Sequence, residues 1–382
     1  MPKVTLIRGA RQLLTLHGPS GPRRGADLRN LGLIQDGAIL IVDGLIREVG
    51  SSRRLENLAA ARKADLIDAT GRVVMPGFVD CHTHIVGSSA GASARALATQ
   101  TLRAVGHAVR HGTTTLEAKS SEIKTMKLLH KAPLSIISTF LCTKTAAESQ
   151  EPPDLYLERV CSHILPLIKR RKLAEFADIC WEDGFFQPEH ARQYLTAARE
   201  LGFSLKIDTG QRCSAGMIRL AVELGASSVD HAVDLAEEDA SLLAQSNTVA
   251  TLLPGGTFYL GAEPYAPARM LIDSGVAVAL ATNYNPETSP SQNMQMMLTL
   301  ACRRMNMTPA ESITAATLNA AHALKRESSI GSLETGKSAD LIILGVPDYR
   351  EIPYHFGINL VELVMKNGSV LVERPEVKWP VS

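Results

Sequence analysis

The sequence predicts an α/β protein in which a (β/α)8 barrel of the TIM type is joined to a small β-sandwich domain built from both chain ends. In the middle of the chain, short apolar runs of strand type alternate with helical stretches, a pattern typical of parallel strands with helical crossovers. Both ends instead carry short strands joined by tight turns. We therefore assign residues 1–75 and 331–382 to the sandwich and residues 76–330 to the barrel.

Both ends of the chain contain the same kind of hairpin turn. Near the start, Asp43-Gly44 separates two apolar runs in "DGAILIVDGLIREVG", and near the end Asn367-Gly368 separates the two halves of "ELVMKNGSVLVE". Asp-Gly and Asn-Gly favour two-residue hairpin turns because both positions of such a turn need positive φ. The two ends therefore resemble two halves of one β domain.

Eight candidate strands make up the predicted barrel. They are "GFVDCHTH" (77–84), "TTTLEAKS" (113–120), "SIISTFLC" (135–142), "FADICWE" (176–182), "SLKIDTG" (204–210), "SSVDHA" (227–232), "TVATLLP" (248–254) and "AVALATN" (277–283). Among the intervening helices, "PEHARQYLTAARELG" places its apolar residues on one face and ends at Gly202. "TPAESITAATLNAAHAL" opens with Thr308 as N-cap and Glu311 as its capping-box partner.

Composition narrows the class of protein. The 40 Lys and Arg residues nearly equal the 39 Asp and Glu residues, and the net charge of +1 predicts no nucleic-acid or anionic-membrane partner. The start "MPKVTLIRGARQLL" lacks the features of a signal peptide, and no apolar run is long enough to cross a bilayer. The six cysteines form no C-x-x-C pair, which favours free thiols. We expect a cytoplasmic protein that acts on a small molecule; a homodimer is compatible with the sequence.

Polar residues gather at the carboxyl ends of the predicted strands, where barrels of this class place their chemistry. His82 and His84 end the first strand, and strand alternation turns both imidazoles the same way. Two converging neutral imidazoles suit Zn or Fe, although a pair of core histidines would show the same spacing. His231 ends the sixth strand and Asn283 the eighth. These residues predict one metal-dependent site at the barrel mouth.

Several longer motifs carry a family resemblance. They are "MPGFVDCHTH", "GTTTLEAKS", "LLPGGTFYLG", "ATNYNPETSPSQN", "IPYHFGINLVELVMKNG" and "LETGKSADLIIL". With these motifs the chain resembles the imidazolonepropionases of the amidohydrolase superfamily over nearly its whole length. The resemblance implies a metal-bearing barrel with a β-sandwich. It also implies hydrolysis of a cyclic amide C–N bond, in which 4-imidazolone-5-propionate is opened to N-formimino-L-glutamate during histidine degradation.

The resemblance also implies roles for single residues. The metal-binding H-x-H pair of the family matches His82 and His84, and its strand-six histidine matches His231. Its strand-five motif, a metal-binding His followed three residues later by a Glu, corresponds here to Asp208 and Gln211. Its strand-eight Asp, which binds metal and accepts a proton, corresponds to Asn283. We therefore expect His82, His84, Asp208 and Asn283 around one divalent Zn or Fe ion, with His231, Gln211 and Asn283 as the catalytic set.

The substituted positions set the charge of the predicted site. Asn283 and Gln211 cannot accept a proton, so His231 is the remaining proton carrier if Asp208 binds the metal. An equal alternative to metal binding is that Asp208 pairs with Lys206 or with a backbone amide. With few strong ligands, the metal is expected to bind weakly or to be absent.

Substrate contacts are expected from Lys119, Lys144 and Asn285, where Lys144 stands in place of a family His. The substrate-gripping Arg of the family has no match in "IVGSSAGASARAL". Three functions follow: an imidazolonepropionase-like hydrolase, a catalytically impaired homologue acting as a binding or partner protein, and an amidohydrolase with another cyclic substrate. Of these, we take the first as the prediction.

Overall fold

A computed structural model describes residues 2–85, 94–121, 132, 134–143, 151–181, 186–210 and 216–374. The strands are β1 (Val4–Leu14), β2 (Leu33–Val42), β3 (Leu45–Ser51), β4 (Asp65–Asp68), β5 (Val73–Pro76), β6 (Phe78–Asp80), β7 (Thr113–Ser120), β8 (Ser135–Cys142), β9 (Phe176–Cys180), β10 (Ser204–Asp208), β11 (Ser228–Asp230), β12 (Val249–Leu252), β13 (Val278–Leu280), β14 (Leu341–Leu344), β15 (Val361–Lys366) and β16 (Ser369–Glu373). The α-helices cover Ser52–Glu56, Ala94–Arg110, Pro153–Arg159, Leu165–Arg170, Pro188–Glu200, Met217–Leu224, Glu237–Ala244, Pro254–Tyr259, Ala268–Asp273, Met294–Arg304, Pro309–Ala315 and Leu318–Ala323. Short 3₁₀ or π turns lie at Gly25–Arg29, Ala59–Lys63, Val160–Ile164 and Tyr349–Glu351.

The eight strands β6 to β13 form one parallel sheet in which each strand pairs with the next in chain order. The sheet closes just beyond the carboxyl ends of β6 and β13. There the backbone N–H of His84 donates to the carbonyl of Tyr284 at 2.7 Å, and that of Asn283 donates to the carbonyl of His82 at 3.1 Å. The predicted barrel is confirmed. The first and last strands are shorter than the sequence predicted, because their last residues form this closure.

The chain ends meet in a second sheet, as predicted. Its strand order is β16-β15-β14-β5-β1-β2-β3, and β4 pairs with β1. The strand β5 joins the two halves, because it pairs in parallel with β1 and antiparallel with β14 from the other end of the chain. The sheet therefore needs both ends of the chain. The division at residues 75/76 and 330/331 stays a prediction.

Alternating side chains decide which face of this sheet meets the barrel. In β5, Val73 and Met75 belong to the main core with the barrel helices, whereas Val74 belongs to the separate core of the β domain. In β14, Ile342 packs with the main core and Leu341 with the β domain. Successive residues of a strand point to opposite faces, so both faces of the sheet are covered. The barrel therefore rests on a packed β layer.

Local signals in the sequence account for most turns and caps. The turn residues Asp43 and Gly44 have φ of 49° and 83°, and Asn367 and Gly368 have φ of 48° and 69°, as two-residue hairpins require. The hydroxyl of Thr308 accepts the N–H of Glu311, which confirms the predicted capping box. The long helix predicted after Thr308 was wrong. It is two helices, Pro309–Ala315 and Leu318–Ala323.

Two further expectations concern membrane and thiol chemistry. Within the described ranges, the helices are too short or too polar to span a bilayer. Within the described part of the chain, Cys81, Cys161 and Cys302 carry free thiols, as predicted.

Candidate active site

A cavity of about 680 Å³ opens at the carboxyl ends of the barrel strands. It is lined by His84, Leu141, Thr143, Cys180, Trp181, Asp208, Gly210, His231, Gly256, Leu260, Asn283, Asn285 and Thr288. The apolar side chains form part of the wall, and the polar ones come from the ends of several different strands. This is the end at which barrel enzymes of this architecture place their chemistry.

His82 and His84 converge at the base of this cavity. Their Nε2 atoms lie 3.3 Å apart, and their rings meet edge to face with centroids separated by 5.3 Å. Both residues follow the end of β6, in the segment that closes the barrel against Tyr284. The closure therefore fixes the backbone that carries the two imidazoles, and the predicted convergence is confirmed by their distance.

Asp208, the last residue of β10, lies between two of the histidines. Its Oδ2 is 3.7 Å from Nε2 of His82, and its Oδ1 is 3.5 Å from Nε2 of His231. The backbone N–H of Gly210 also donates to Oδ1 at 3.0 Å. The Asp208 carboxylate thus accepts a backbone amide, one of the alternatives that the sequence left open, and also faces the imidazoles of His82 and His231. Its role as a metal ligand stays a prediction.

A buried hydrogen-bond chain lies behind His82. The carboxylate of Asp230 lies 2.7 Å from Nδ1 of His82 through Oδ2, and the hydroxyl of Ser228 donates to its Oδ1 at 2.7 Å. The ammonium of Lys119 donates to Asp230 at 2.7 Å and to Asp178 at 2.5 Å. The side chains of Lys119, Asp178 and Asp230 are fully buried. His82 is thereby held from the side opposite to the cavity.

A second buried lysine lies beside this chain. Lys206 donates to Glu117 at 2.6 Å and to the carbonyl of Cys81 at 2.8 Å, and its Nζ is 3.4 Å from Asp230. Thr139 donates to the other oxygen of Glu117 at 2.5 Å. Charged side chains therefore fill part of the barrel, where aliphatic layers are usual, beside an apolar cluster that includes Val79, Ile137 and Val249.

The buried groups carry more negative than positive charge. Among the side chains that contact the two lysines or the histidine rings, the carboxylates are Glu117, Asp178, Asp208 and Asp230, and the ammonium groups are Lys119 and Lys206. When all six are ionised, two negative charges are in excess. Burial, with the negative charges of Asp208 and Asp230, raises the pKa of Asp178 to about 7 despite the opposing effect of Lys119. A divalent cation at the histidines would offset this excess.

The protonation states of the converging groups also suit a metal ion. Burial, and then the positive charge of Lys119, lowers the pKa of His82 well below its usual value and that of His84 to about 4. Burial alone would raise the pKa of Asp208, but the interactions with His231, Lys119 and His82 outweigh it and lower that pKa to about 2. Neutral imidazoles and an ionised carboxylate are the forms that bind zinc or iron.

The geometry therefore fits one divalent ion. One ligand atom each from His82, Asp208 and His231 lies within 4.8 Å of the others, and His84 adds an imidazole beside them. Three of these four groups are enough to hold an ion, which leaves the fourth available as a base. The hydrogen bond from Nδ1 of His82 to a carboxylate is the usual support of a metal-binding histidine.

Asn283 lies at the same cavity with an unusual backbone. Its φ is 53°, which asparagine tolerates better than most residues. A β-carbon on Gly256 would lie 3.1 Å from its Nδ2, so a glycine leaves room for the amide. Asn283 is therefore placed to contact a ligand, and its amide offers a neutral oxygen and an N–H donor.

The other predicted residues are distributed as follows. Asn285 lines the cavity, and its Oδ1 accepts the N–H of Glu287 at 2.9 Å. Lys119, predicted to contact substrate, is fully buried with its ammonium on two carboxylates, a placement that favours a positioning role. Lys144 and Gln211 lie outside the described residues.

Sequence reasoning missed the groups behind the histidines. Asp178, Lys206 and Asp230 were within predicted strands, but they were not assigned to the site. A charged residue inside an apolar strand run was the available signal, because a fully buried charge needs a partner. Trp181 was also missed; it lines the cavity, and its indole N–H has no hydrogen-bond partner within the described ranges.

Comparisons with known sequences give one consistent result. The model of the amidohydrolase family matches residues 73–371. An imidazolonepropionase of Alkaliphilus metalliredigens is 37% identical over 97% of this chain and 99% of its own. An imidazolonepropionase of Geobacillus kaustophilus is 39% identical over 97% of this chain and 98% of its own. These relatives are similar to the chain from end to end.

Solved structures agree on the fold. A triazine hydrolase variant superimposes with a TM-score of 0.76 at 21% identity, covering 97% of this chain and 95% of its own. An adenosine deaminase from Xanthomonas campestris with bound zinc gives a TM-score of 0.74 at 18% identity, covering 97% of this chain and 93% of its own. At such identities the likeness shows the shared architecture alone.

Proposed function

This chain belongs to the amidohydrolase family and is an imidazolonepropionase-like member of it, and we propose that it opens the ring of 4-imidazolone-5-propionate by hydrolysing a C–N bond of the cyclic amide. One observation carries the proposal. His82, His84, Asp208 and His231 converge on a cavity at the carboxyl ends of the barrel strands. The end-to-end similarity to imidazolonepropionases supports the choice of substrate.

The family is metal-dependent, and in this chain His82, His84 and Asp208 would hold one divalent ion, zinc or iron. When bound there, such an ion supplies Lewis acidity, which polarises the substrate carbonyl and makes water more acidic. The two carboxylate oxygens of Asp208 face different histidines. Oδ2 faces His82, and Oδ1 faces His231. Asp208 can therefore bind the ion and orient His231.

His231 is the proposed proton acceptor. Asn283 and Gln211 are neutral amides that cannot take a proton from water. His231 lines the cavity and is nine-tenths buried, with Nε2 beside Asp208. The imidazole takes the proton as the water oxygen adds to the ring carbon, and Asp208 stabilises the resulting positive charge. His231 then returns the proton to the ring nitrogen when the C–N bond breaks, so that one water is added across that bond.

Asn283 has a separate proposed role. Its side-chain N–H can donate to the oxygen on which negative charge develops during attack, because Asn283 lines the cavity with Asp208 and His231. The amide thus contributes to binding and orientation, while His231 carries the proton.

The test is to measure ring opening of imidazolonepropionate by the metal-free protein and by protein reconstituted with Zn²⁺ or Fe²⁺. Turnover is expected only in the reconstituted protein. In the His231→Gln variant, kcat should fall about 10²- to 10⁴-fold with metal content unchanged. His17→Gln is the matched control, because the His17 side chain is 73% exposed and pairs with Glu334. Absence of turnover by reconstituted natural protein would overturn the proposal.

A further inference from the structure

We propose that Asp230, clamped by Lys119, is a positioning residue that holds His82 in its Nδ1–H tautomer and so keeps Nε2 free to bind the metal ion. This inference rests on the metal site of the proposed function. It concerns residues that do not contact the substrate cavity, because Asp230 and Lys119 are fully buried behind His82. Its consequence is measurable as metal affinity, whatever the substrate is.

The geometry of Asp230 specifies a single orientation of the His82 ring. Oδ2 of Asp230 lies 2.7 Å from Nδ1 of His82, while Nε2 of the same ring lies 3.3 Å from Nε2 of His84 on the cavity side. An ionised carboxylate only accepts hydrogen bonds, so Nδ1 must be the protonated nitrogen. The neutral ring then has its lone pair at Nε2, where the other ligands converge.

Further contacts prevent Asp230 from turning away. Ser228 donates to Oδ1 at 2.7 Å, and Lys119 donates to Oδ2 at 2.7 Å. Lys119 is fixed in turn by Asp178 at 2.5 Å. These residues come from the strands β7, β9 and β11, so the orientation of one imidazole depends on the frame of the barrel itself.

Charge explains why a lysine is needed in this position. A lone buried carboxylate would be poorly solvated and would attract a proton from its neighbours. The ammonium of Lys119 offsets the charge of Asp230 at 2.7 Å, so the proton shared with His82 can stay on the imidazole nitrogen. Asp178 is a second carboxylate on Lys119, and its hydrogen bond helps to hold the ammonium in place. Lys206 is a more distant cation, 3.4 Å from the same Asp230 oxygen.

The experiment measures zinc affinity by competition with a chelator, using the full chain freed of metal. Asp230→Asn should weaken zinc binding about 10- to 100-fold, because an amide can flip and donate to Nδ1, which moves the proton to Nε2. Lys119→Met should weaken it similarly. Ser228→Ala is a milder variant that removes one contact to Oδ1, and it should weaken zinc binding about two- to tenfold.

Lys366→Met is the matched control for the loss of a buried lysine. Lys366 is 6% exposed and pairs with Asp340, outside the candidate site. The control should lose stability but leave zinc affinity of the folded protein unchanged. Thermal unfolding of each metal-free variant shows whether it folds, and Ser228→Ala keeps the test open if the charged variants do not.

A spectroscopic readout separates positioning from stability. Nitrogen-15 NMR of the imidazoles in the metal-free protein should show His82 protonated at Nδ1 in the natural chain, and a mixture of tautomers in the Asp230→Asn variant. Equal loss of zinc affinity in the Lys119→Met and Lys366→Met variants, or an unchanged tautomer and affinity in Asp230→Asn, would overturn the proposal. Neither readout involves hydrolysis, so failure of the proposed substrate would leave this test intact.

Discussion

Gly368 packs directly on Gly44, where the two hairpin turns from opposite ends of the chain meet. A β-carbon on Gly368 would lie 2.7 Å from the Cα of Gly44, and one on Gly44 would lie 2.6 Å from the carbonyl oxygen of Asn367. Both glycines also have positive φ. Neither turn can therefore accept a side chain without moving the other, and this contact ties the two ends of the β domain together.

The first prediction is that Gly368→Ala lowers the free energy of unfolding by about 2–5 kcal/mol. About 1–2 kcal/mol comes from forcing an L-residue into the left-handed region, and about 1–3 kcal/mol comes from the clash with backbone that cannot rotate away. Denaturant unfolding followed by circular dichroism measures the difference.

Gly71→Ala is the matched control for this substitution. Gly71 has φ of 77°, but nothing lies within 4 Å of a β-carbon placed there. The control should lose only the conformational part, about 1–2 kcal/mol. Equal losses in the two variants would show that the contact between the turns contributes nothing.

The second prediction concerns the pH dependence of the capping box at Glu311. Burial raises the pKa of this carboxyl, but hydrogen bonds from the Thr308 backbone, Arg29 and Arg269 outweigh it and lower the pKa below its usual value. A depressed folded-state pKa contributes stability above the unfolded-state pKa, and that contribution is lost as the pH falls through the folded-state value. Glu311→Gln should therefore cost about 2 kcal/mol at pH 7, and the difference from the natural chain should shrink below about pH 4.5.

The control for Glu311 is an exposed acidic partner. Glu56 pairs with Arg8 at 2.7 Å, with side chains 39% and 43% exposed, so Glu56→Gln should change stability by less than about 1 kcal/mol at any pH. A Glu311→Gln difference that stayed constant from pH 7 to pH 3 would contradict the assigned role of the charge.

Local patterns in the sequence were sufficient to predict the fold. Residues 113–120 and 135–142 match β7 and β8 at both ends, because both stretches are rich in residues that favour strands, such as Thr in β7 and Ile and Phe in β8. The helix predicted after Thr308 was wrong because its break at residues 316–317 has no glycine or proline to mark it. At this break the path of the backbone is set by tertiary packing, and the periodicity of the sequence does not show where the helix ends.

The site was predictable only in part. His82, His84 and His231 were found because histidines at strand ends are conspicuous. The partner of each group was not found, because pairing such as that of Lys119 with Asp178 depends on which strands are neighbours and on the stagger between them. The barrel order supplies that information, and the spacing along the chain does not.

The third prediction is that zinc stabilises the protein and that Asp208→Asn abolishes most of this effect. An ion that binds only the folded state adds about 2.7 kcal/mol at a free concentration one hundred times its Kd. Asp208 supplies the negative charge that faces His82 and His231, so a neutral amide should bind zinc far more weakly.

Thermal unfolding with and without zinc measures this effect. Asp234→Asn, a change of the same type outside the cavity lining, should keep the full shift in Tm. A zinc-induced shift that survives in Asp208→Asn would show that the ion binds elsewhere.

The fourth prediction is that Asn283→Asp changes the metal-free and metal-bound protein in opposite directions. A carboxylate at this position adds a negative charge to a region where carboxylates already exceed ammonium groups, so the metal-free protein should lose about 1–3 kcal/mol of stability. The same carboxylate is a stronger ligand than an amide oxygen, so zinc should bind about tenfold more tightly.

Asn306→Asp is the control, because Asn306 is exposed and shares the left-handed backbone of Asn283, with φ of 55° against 53°. Chelator competition and thermal unfolding of both variants measure the two effects. Weaker zinc binding in Asn283→Asp would mean that its side chain points away from the ion, and the amide would then have no part in the metal site.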